Sequence, residues 1–319
     1  MTTTPCILCR NEGFAPVCTK NGYDIVRCTT CGLVRVHPLP TPEQLAAYYK
    51  EGYNQFRYSF ASPLGDPPVR KQRELRILER FQAPGKLLDV GSAYGHFLDN
   101  AHRHGWDTTG VEPQDEARII CQSRFRLPVL EHLDAVPAHA FDAATLWHVI
   151  EHLAAPVDFL SAVRSKLHDG GILALATPNI DSLVARATGE SWGWLSPPDH
   201  LFLYSPRTLP RLLEAAGFEV LHVETRRGAG RNTLLLMMQA VAYRLGLFAR
   251  IRSSVARASH TYHTARTVSG RVNVFVIAER ITNFLSLLLT PALIALWKFG
   301  LGDEVLAVAR NRTAGDHHE

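Results

Sequence analysis

The first 20 residues contain no apolar run, and that absence removes the pattern of a secretory signal. Blocks of like charge are missing too. Lys and Arg are spread along the 319 residues, the formal net charge is only +4, and no nucleic-acid partner is expected. Cysteine is almost absent beyond the N-terminus: five of the six fall within the first 31 residues. In a chain without an export signal, that clustering favours a metal over disulfides and implies a cytoplasmic protein. The rest is ordinary for a globular chain, 46% hydrophobic and 20% charged. The length suits one large domain with a small one, or two medium ones.

The cysteines follow a spacing. Cys6-Ile7-Leu8-Cys9 and Cys28-Thr29-Thr30-Cys31 are eighteen residues apart, the C-x2-C…C-x2-C pattern of structural zinc sites. A two-residue gap lets two thiolates from one tight turn face a single tetrahedral ion, and four protein ligands leave no position open for substrate. A labile disulfide pair and a redox motif are the rival readings. Asn21-Gly22 marks a hairpin turn, Ile25-Val26 lie on the returning strand, and Cys18 reads as a bystander thiol. Neither a helix nor a central strand continues through Pro38-Leu39-Pro40-Thr41-Pro42, so the ribbon is expected over 1–40. A helical lid or linker is expected over 41–82, with Tyr48, Tyr49, Tyr53 and Phe56 on it, and the main domain over 83–319.

Within that domain, Gly85-Lys86-Leu87-Leu88-Asp89-Val90-Gly91-Ser92-Ala93-Tyr94-Gly95 reads as an apolar strand running into a glycine turn. Gly91 and Gly95 lack Cβ atoms, so the backbone there can bend sharply and approach a ligand closely. A second strand over Trp106–Pro113 places Glu112 23 residues after Asp89, where a carboxylate can accept both hydroxyls of a ribose. Strands over Phe141–Val149, Gly170–Asn179 and Gly217–Glu224 alternate with helical stretches at 156–168 and 205–216. That alternation predicts an α/β fold, a doubly wound, mostly parallel sheet with helices on both faces.

Taken in order, LLDVGSAYGHFL, VEP, FDAATLWHVIEHL, GGILALATPN and HLFLYSPRTLPRLLEAAGFEV resemble the class I S-adenosylmethionine-dependent methyltransferase superfamily. The resemblance covers residues 83–227 and the last strand, and implies a seven-stranded Rossmann-like sheet. It implies S-adenosylmethionine as cofactor, with Asp89, Gly91, Ser92, Ala93 and Gly95 around its methionine part and Glu112 on its ribose. Trp147 and His148 would lie beside it. A dinucleotide turn would show G-x-G-x-x-G, where this chain has Gly91-Ser92-Ala93, so a dehydrogenase is disfavoured.

His148-Val149-Ile150-Glu151-His152 also fits the H-x-x-E-H pattern of one zinc protease class, but that reading needs the motif on a helix. Here His148 closes a strand and a helix begins only near Pro156. Glu151-His152 instead resembles the ubiquinone-pathway O-methyltransferases, in which an acidic cluster with a histidine binds a divalent metal. This chain carries His148 where that family has an acid. Methyl transfer to a hydroxyl benefits from a base, and histidine suits it. The candidate catalytic residues are His152, Glu151 and His200, the last in a loop where Trp192 and Trp194 can wall an apolar or aromatic acceptor. Glu151 and the histidines have a plainer alternative as loop hydrogen-bonders.

The seventh strand is expected at Asp303–Arg310, which makes 228–302 an insertion. Within it Thr233–Phe248 is largely apolar, and Ile281–Trp297 has no charged residue. A buried helical hairpin at a homodimer interface and an amphipathic platform at the inner face of a membrane, suited to a lipid-like acceptor, both fit. The expected function is O-methylation of a small molecule. Sugar C-methylation and a non-catalytic binding module are the alternatives.

Overall fold

The computed structural model describes residues 4–48, 68–226 and 297–312. Seven strands form the main sheet: β4 (Lys86–Val90), β5 (Asp107–Val111), β6 (Val129–Leu130), β7 (Phe141–Trp147), β8 (Leu167–Pro178), β10 (Phe218–Arg226) and β11 (Glu304–Asn311). Their order is β10-β11-β8-β7-β4-β5-β6. Strands β6, β5, β4, β7 and β8 are mutually parallel, and β11 runs antiparallel between β8 and β10.

This sheet is covered on both faces, as parallel sheets require. Along β8, Leu173 and Leu175 join the core that holds Leu160 of α5 (Pro156–Arg164) and Leu212 of α7 (Thr208–Ala215). The alternate residues Ile172, Ala174 and Ala176 join a second core with Leu75 of α2 (Pro68–Leu78) and Phe97 of α3 (His96–Arg103). That two-residue alternation is the pleat of the strand read out in burial. Helix α4 (Asp115–Phe125) packs against β6 through Cys121 and Val129.

Chain direction across the sheet reverses between β4 and β7: β4, β5 and β6 step one way, and β7 returns to the other side of β4. In open α/β sheets the crevice beyond the carboxyl ends of the strands at such a reversal is where ligands bind. The glycine turn after β4 and His148 after β7 both stand there.

A second, four-stranded antiparallel sheet contains β1 (Phe14–Lys20), β2 (Tyr23–Cys28), β3 (Val34–His37) and β9 (Phe202–Leu203). The β1–β2 turn is Asn21-Gly22, with φ of 52° and 80°, the left-handed pair that a two-residue hairpin uses. Strand β9 belongs to the loop after β8, so this small sheet is completed from the main domain. A helix, α1, occupies 42–48.

The seventh strand lies where expected. The two apolar stretches of the 228–302 insertion and residues 49–67 of the expected 41–82 lid, including Tyr49, Tyr53 and Phe56, lie outside the described residues. Among the described residues no helix is long and apolar enough to cross a membrane. Asn179 ties the return of the chain to the sheet by donating to the carbonyls of Gly300 (2.9 Å) and Gly302 (2.8 Å).

Candidate active site

The turn after β4 is built from left-handed residues, Gly91 at φ 76°, Ala93 at 47° and Gly95 at 79°. A Cβ on Gly91 would fall 2.5 Å from Cγ2 of Val149, and one on Gly95 would fall 2.1 Å from the Cys121 sulfur, so both positions need glycine for space as well as for φ. Glu112 closes the turn. Its Oε2 accepts from the Ala93 N–H and its Oε1 from the Gln114 N–H, both at 2.9 Å. Burial pushes the Glu112 carboxyl up, against these two donors and Arg118. Asp89 accepts from the Thr145 hydroxyl at 2.7 Å, which ties β4 to β7.

Ser92 Oγ and Trp147 Nε1 are buried polar atoms without a hydrogen-bond partner among the described residues. Such atoms in a native core call for a partner. The glycine cradle and the Glu112 carboxylate stand at the crevice and fit a nucleoside-bearing cofactor, while Ser92 Oγ lies against Gly110 of β5. Trp147 is less direct: its ring packs edge-on against Phe97 at 5.3 Å within the α2/α3 core.

Beyond β7 the chain places charges in an alternating row. His148, at φ 59°, has Glu151 Oε1 at 3.4 Å from Nδ1 and Glu304 Oε1 at 3.1 Å from Nε2. Burial alone would lower the His148 pKa, but the Glu304 and Glu151 carboxylates outweigh it and hold it up at about 9. Burial would raise Glu151, and the imidazoles of His148 and His152 draw it down to about 2 instead. Glu151 also accepts from Thr177 at 3.0 Å. Behind Glu304, the buried Arg226 binds it at 3.1 Å and Glu74 at 3.3 Å.

The third part is the loop between α6 (Leu183–Thr188) and β9. His152 Nδ1 meets the Asp199 side chain at 3.1 Å and its carbonyl at 3.0 Å. Burial lowers the His152 pKa, but Asp199 and Glu151 raise it by more. His200 is held down to about 4, by burial first and then by the nearby His152, and its Nδ1 is fixed on the Trp194 carbonyl at 2.6 Å. Trp194 stacks on both His148 (5.4 Å between ring centres) and His200 (5.7 Å). Tyr48 of α1 has its phenol pushed up to about 12, by burial and by the charge of Asp199, which places the described end of the lid near this loop.

The structure thus gathers His148, Glu151, His152 and His200 into one cluster next to the crevice that holds Asp89, Gly91, Ser92, Ala93, Gly95 and Glu112. Sequence reasoning missed Asp199, whose signal was an acid adjoining His200. It also missed Glu304 and Arg226, which no local pattern marks because they arrive from β11 and β10.

The four cysteines form a separate site. Sγ of Cys6 and Cys31 are 3.5 Å apart, as are those of Cys9 and Cys28, and all four lie within 4.8 Å of one another. A zinc tetrathiolate with arms of about 2.3 Å needs sulfurs about 3.8 Å apart, so the four cysteines can bind zinc. Both knuckles close alike, through Arg10 N–H to Cys6 O (2.9 Å) and Gly32 N–H to Cys28 O (3.0 Å), with Arg10 and Gly32 left-handed. The buried Arg35 guanidinium, which stacks on Phe14 and keeps Nε and one terminal nitrogen without a hydrogen-bond partner among the described residues, fits the net negative charge of a tetrathiolate.

Comparison with known proteins agrees with this architecture. Residues 68–223 match the family model described as "Methyltransferase domain". That match spans just under half of the chain, and the seven-stranded sheet has the Rossmann-like fold of such domains. Over 121 residues the chain is 32% identical to a ubiquinone biosynthesis O-methyltransferase of Xanthomonas axonopodis pv. citri, covering 35% of this chain and 50% of that protein. Over 170 residues it is 26% identical to one from Caulobacter sp., covering 46% and 63%. The chain therefore spans only about half to two thirds of these curated relatives. Among solved structures, the [4+2]-cyclase SpnF superposes with a TM-score of 0.50 at 16% identity, over 87% of this chain and 99% of that one. This likeness shows the fold alone. SpnF is itself named a cyclase, so the reaction must be read from the site and not from the fold.

Proposed function

We propose that the protein methylates a hydroxyl of a small aromatic or apolar acceptor, with S-adenosylmethionine as donor and His152 as general base. The observation that carries this reading is the His152–Asp199 contact at 3.1 Å beside the crevice. With Nδ1 fixed on Asp199, Nε2 is the ring nitrogen left to take a proton. Two curated relatives named as ubiquinone biosynthesis O-methyltransferases support oxygen as the methylated atom.

When bound, S-adenosylmethionine supplies an electrophilic methyl on a sulfonium. Glu112 accepts the ribose hydroxyls, Asp89, Gly91, Ser92, Ala93 and Gly95 surround the methionine part, and His148 and Trp147 border it. His152 Nε2 removes the hydroxyl proton as the oxygen attacks, and Asp199 steadies the resulting imidazolium. His200 stays neutral and with Trp194 walls the acceptor ring. Alignment and exclusion of water are the protein's main contributions, because the methyl is already activated.

A specific observation favours a second reading, in which Glu151, His152 and His200 hold a divalent cation. Each offers one ligand atom within 4.8 Å of the others, and Nδ1 of both histidines is already fixed by a protein acceptor, the outer-shell pattern of metal ligands. Such an ion would supply Lewis acidity at the acceptor oxygen.

The test is to incubate the full chain with S-adenosylmethionine and a panel of catechols, other phenols and sugars, following the demethylated cofactor and methylated product by mass spectrometry. Turnover of phenols that falls at least about 100-fold in His152→Gln is expected. Turnover unaffected by that change overturns the base assignment. Turnover only with sugars overturns the acceptor class.

A further inference from the structure

The small sheet joins residues that lie far apart in sequence, and the junction falls on the candidate acceptor loop. Val34 pairs with Leu203 and Arg35 with Phe202. Val36 donates to the Leu201 carbonyl at 2.9 Å, and Leu201 donates to the Glu151 carbonyl at 2.8 Å. The ribbon, the loop and the strand-β7 cluster are therefore linked by consecutive main-chain hydrogen bonds. At the hairpin tip, Lys20 Nζ donates to the carbonyls of Glu190 (2.8 Å) and Trp192 (3.2 Å), and the Asn21 amide donates to the Pro197 carbonyl (2.9 Å). Between these two attachments, Trp192 and Leu195 of the loop are buried in a core whose other wall is Ile25, Val34 and Val36.

We propose that the four-cysteine site is a positioning device for the acceptor loop: metal in the ribbon fixes where Trp194, Asp199 and His200 stand. This rests on the acceptor-loop reading above and extends it. Cys28 is the last residue of β2, and the Cys28–Cys31 knuckle is the connection from β2 to β3. An ion held by this knuckle therefore sets the register of β3, the strand on which β9 pairs. Strands of seven, six and four residues make too little sheet to hold that register alone, and small ribbons of this kind order only with metal. By contrast, Gly91, Glu112 and the strands β4 and β5 take no hydrogen bond from the ribbon among the described residues and share with it only the apolar core that also holds Leu88, Val90 and Val111. A ribbon that serves only to recruit a partner would not need to hold this loop by its backbone.

The experiment is hydrogen exchange read by mass spectrometry on the full chain. Three samples are compared: the zinc-loaded protein, the same protein after chelation, and a zinc-loaded Lys20→Met/Asn21→Gly double variant. The double variant removes the hairpin-tip attachments, while glycine keeps the left-handed turn and the cysteines are untouched. Titration with S-adenosylhomocysteine accompanies each sample. The expected result is exchange at least about tenfold faster across 190–204 in both altered samples, unchanged protection of 86–90 and 141–147, and cofactor-product affinity within about threefold. Unchanged protection of the loop after zinc loss overturns the proposal. So does loss of protection across the whole main sheet together with the loop, since the ribbon would then be a general staple. Absence of S-adenosylhomocysteine binding in every sample would tell against the methyltransferase reading, while the exchange pattern would still decide the loop.

Discussion

Replacing Glu112 with Ala tests two roles of one carboxylate, the bracing of the glycine turn and the proposed ribose contact. In the described geometry Glu112 takes the N–H groups of Ala93 and Gln114 at 2.9 Å each, with the residue 6% exposed. Each is a hydrogen bond to a charged group, worth about 1.5 kcal/mol net at the low end that suits half-buried donors. The apo protein should therefore lose about 3 kcal/mol, partly because Ala93 at φ 47° relies on that contact to stay left-handed. A carboxylate has about four acceptor positions, so ribose hydroxyls can be taken alongside the two amides. Losing them should weaken binding by about 10- to 100-fold, the equivalent of about 1.5–3 kcal/mol. Glu112→Gln distinguishes the roles, because the amide oxygen keeps one backbone donor while the charge is gone. It should cost about half as much stability as Ala and a comparable share of affinity. Urea denaturation of the apo proteins and calorimetric titration with S-adenosylhomocysteine measure the two effects. A folded Glu112→Ala variant with unchanged affinity would refute the ribose assignment. Unchanged stability would refute the bracing role.

Arg226→Met leaves Glu74 and Glu304 buried without the cation between them and should lower stability by about 3–5 kcal/mol, read from the urea midpoint. A midpoint that does not move would mean that water reaches the pair. Gly95→Ala combines a left-handed φ of 79° with a Cβ 2.1 Å from the Cys121 sulfur, and should cost about 2–4 kcal/mol. Adding Cys121→Ala should restore the packing part and leave the backbone part, so a full rescue would contradict the φ argument. Asp199→Asn removes the charge that raises His152 while leaving the Asp199 carbonyl at 3.0 Å to hold the ring. With the raised pKa lost, the acidic limb of kcat/KM should move to lower pH and the maximal rate should fall about 100-fold or more. A limb that stays in place would exclude His152 as the titrating base.

The main sheet was legible because β4, β5 and β7 each end in a turn with its own chemistry. Gly91 and Gly95 after β4, Glu112 after β5 and His148 after β7 mark the crevice in linear order. Strand β6 went unnamed, since Val129-Leu130 is two residues long and carries no periodicity. The ribbon's knuckles were visible from spacing, but not the fact that its sheet is completed by Phe202-Leu203. A two-residue strand has no signature, and its pairing is fixed by contacts distant in sequence, among them the burial of Trp192 and Leu195 and the Leu201 N–H bond to the Glu151 carbonyl. The same limit hid half of the charged row. Glu151 and His152 stand in one motif, whereas Glu304 reaches His148, with Arg226 behind it, across strands whose adjacency depends on the antiparallel entry of β11.

The central claim is that this fold holds S-adenosylmethionine in the crevice between the ends of β4, β5 and β7. Calorimetric titration of the purified full chain with S-adenosylmethionine and with its demethylated product tests it most directly. The account predicts saturable one-to-one binding of both, with Kd of roughly micromolar order, about −8 kcal/mol. No heat from either ligand with a folded, zinc-loaded protein would contradict it.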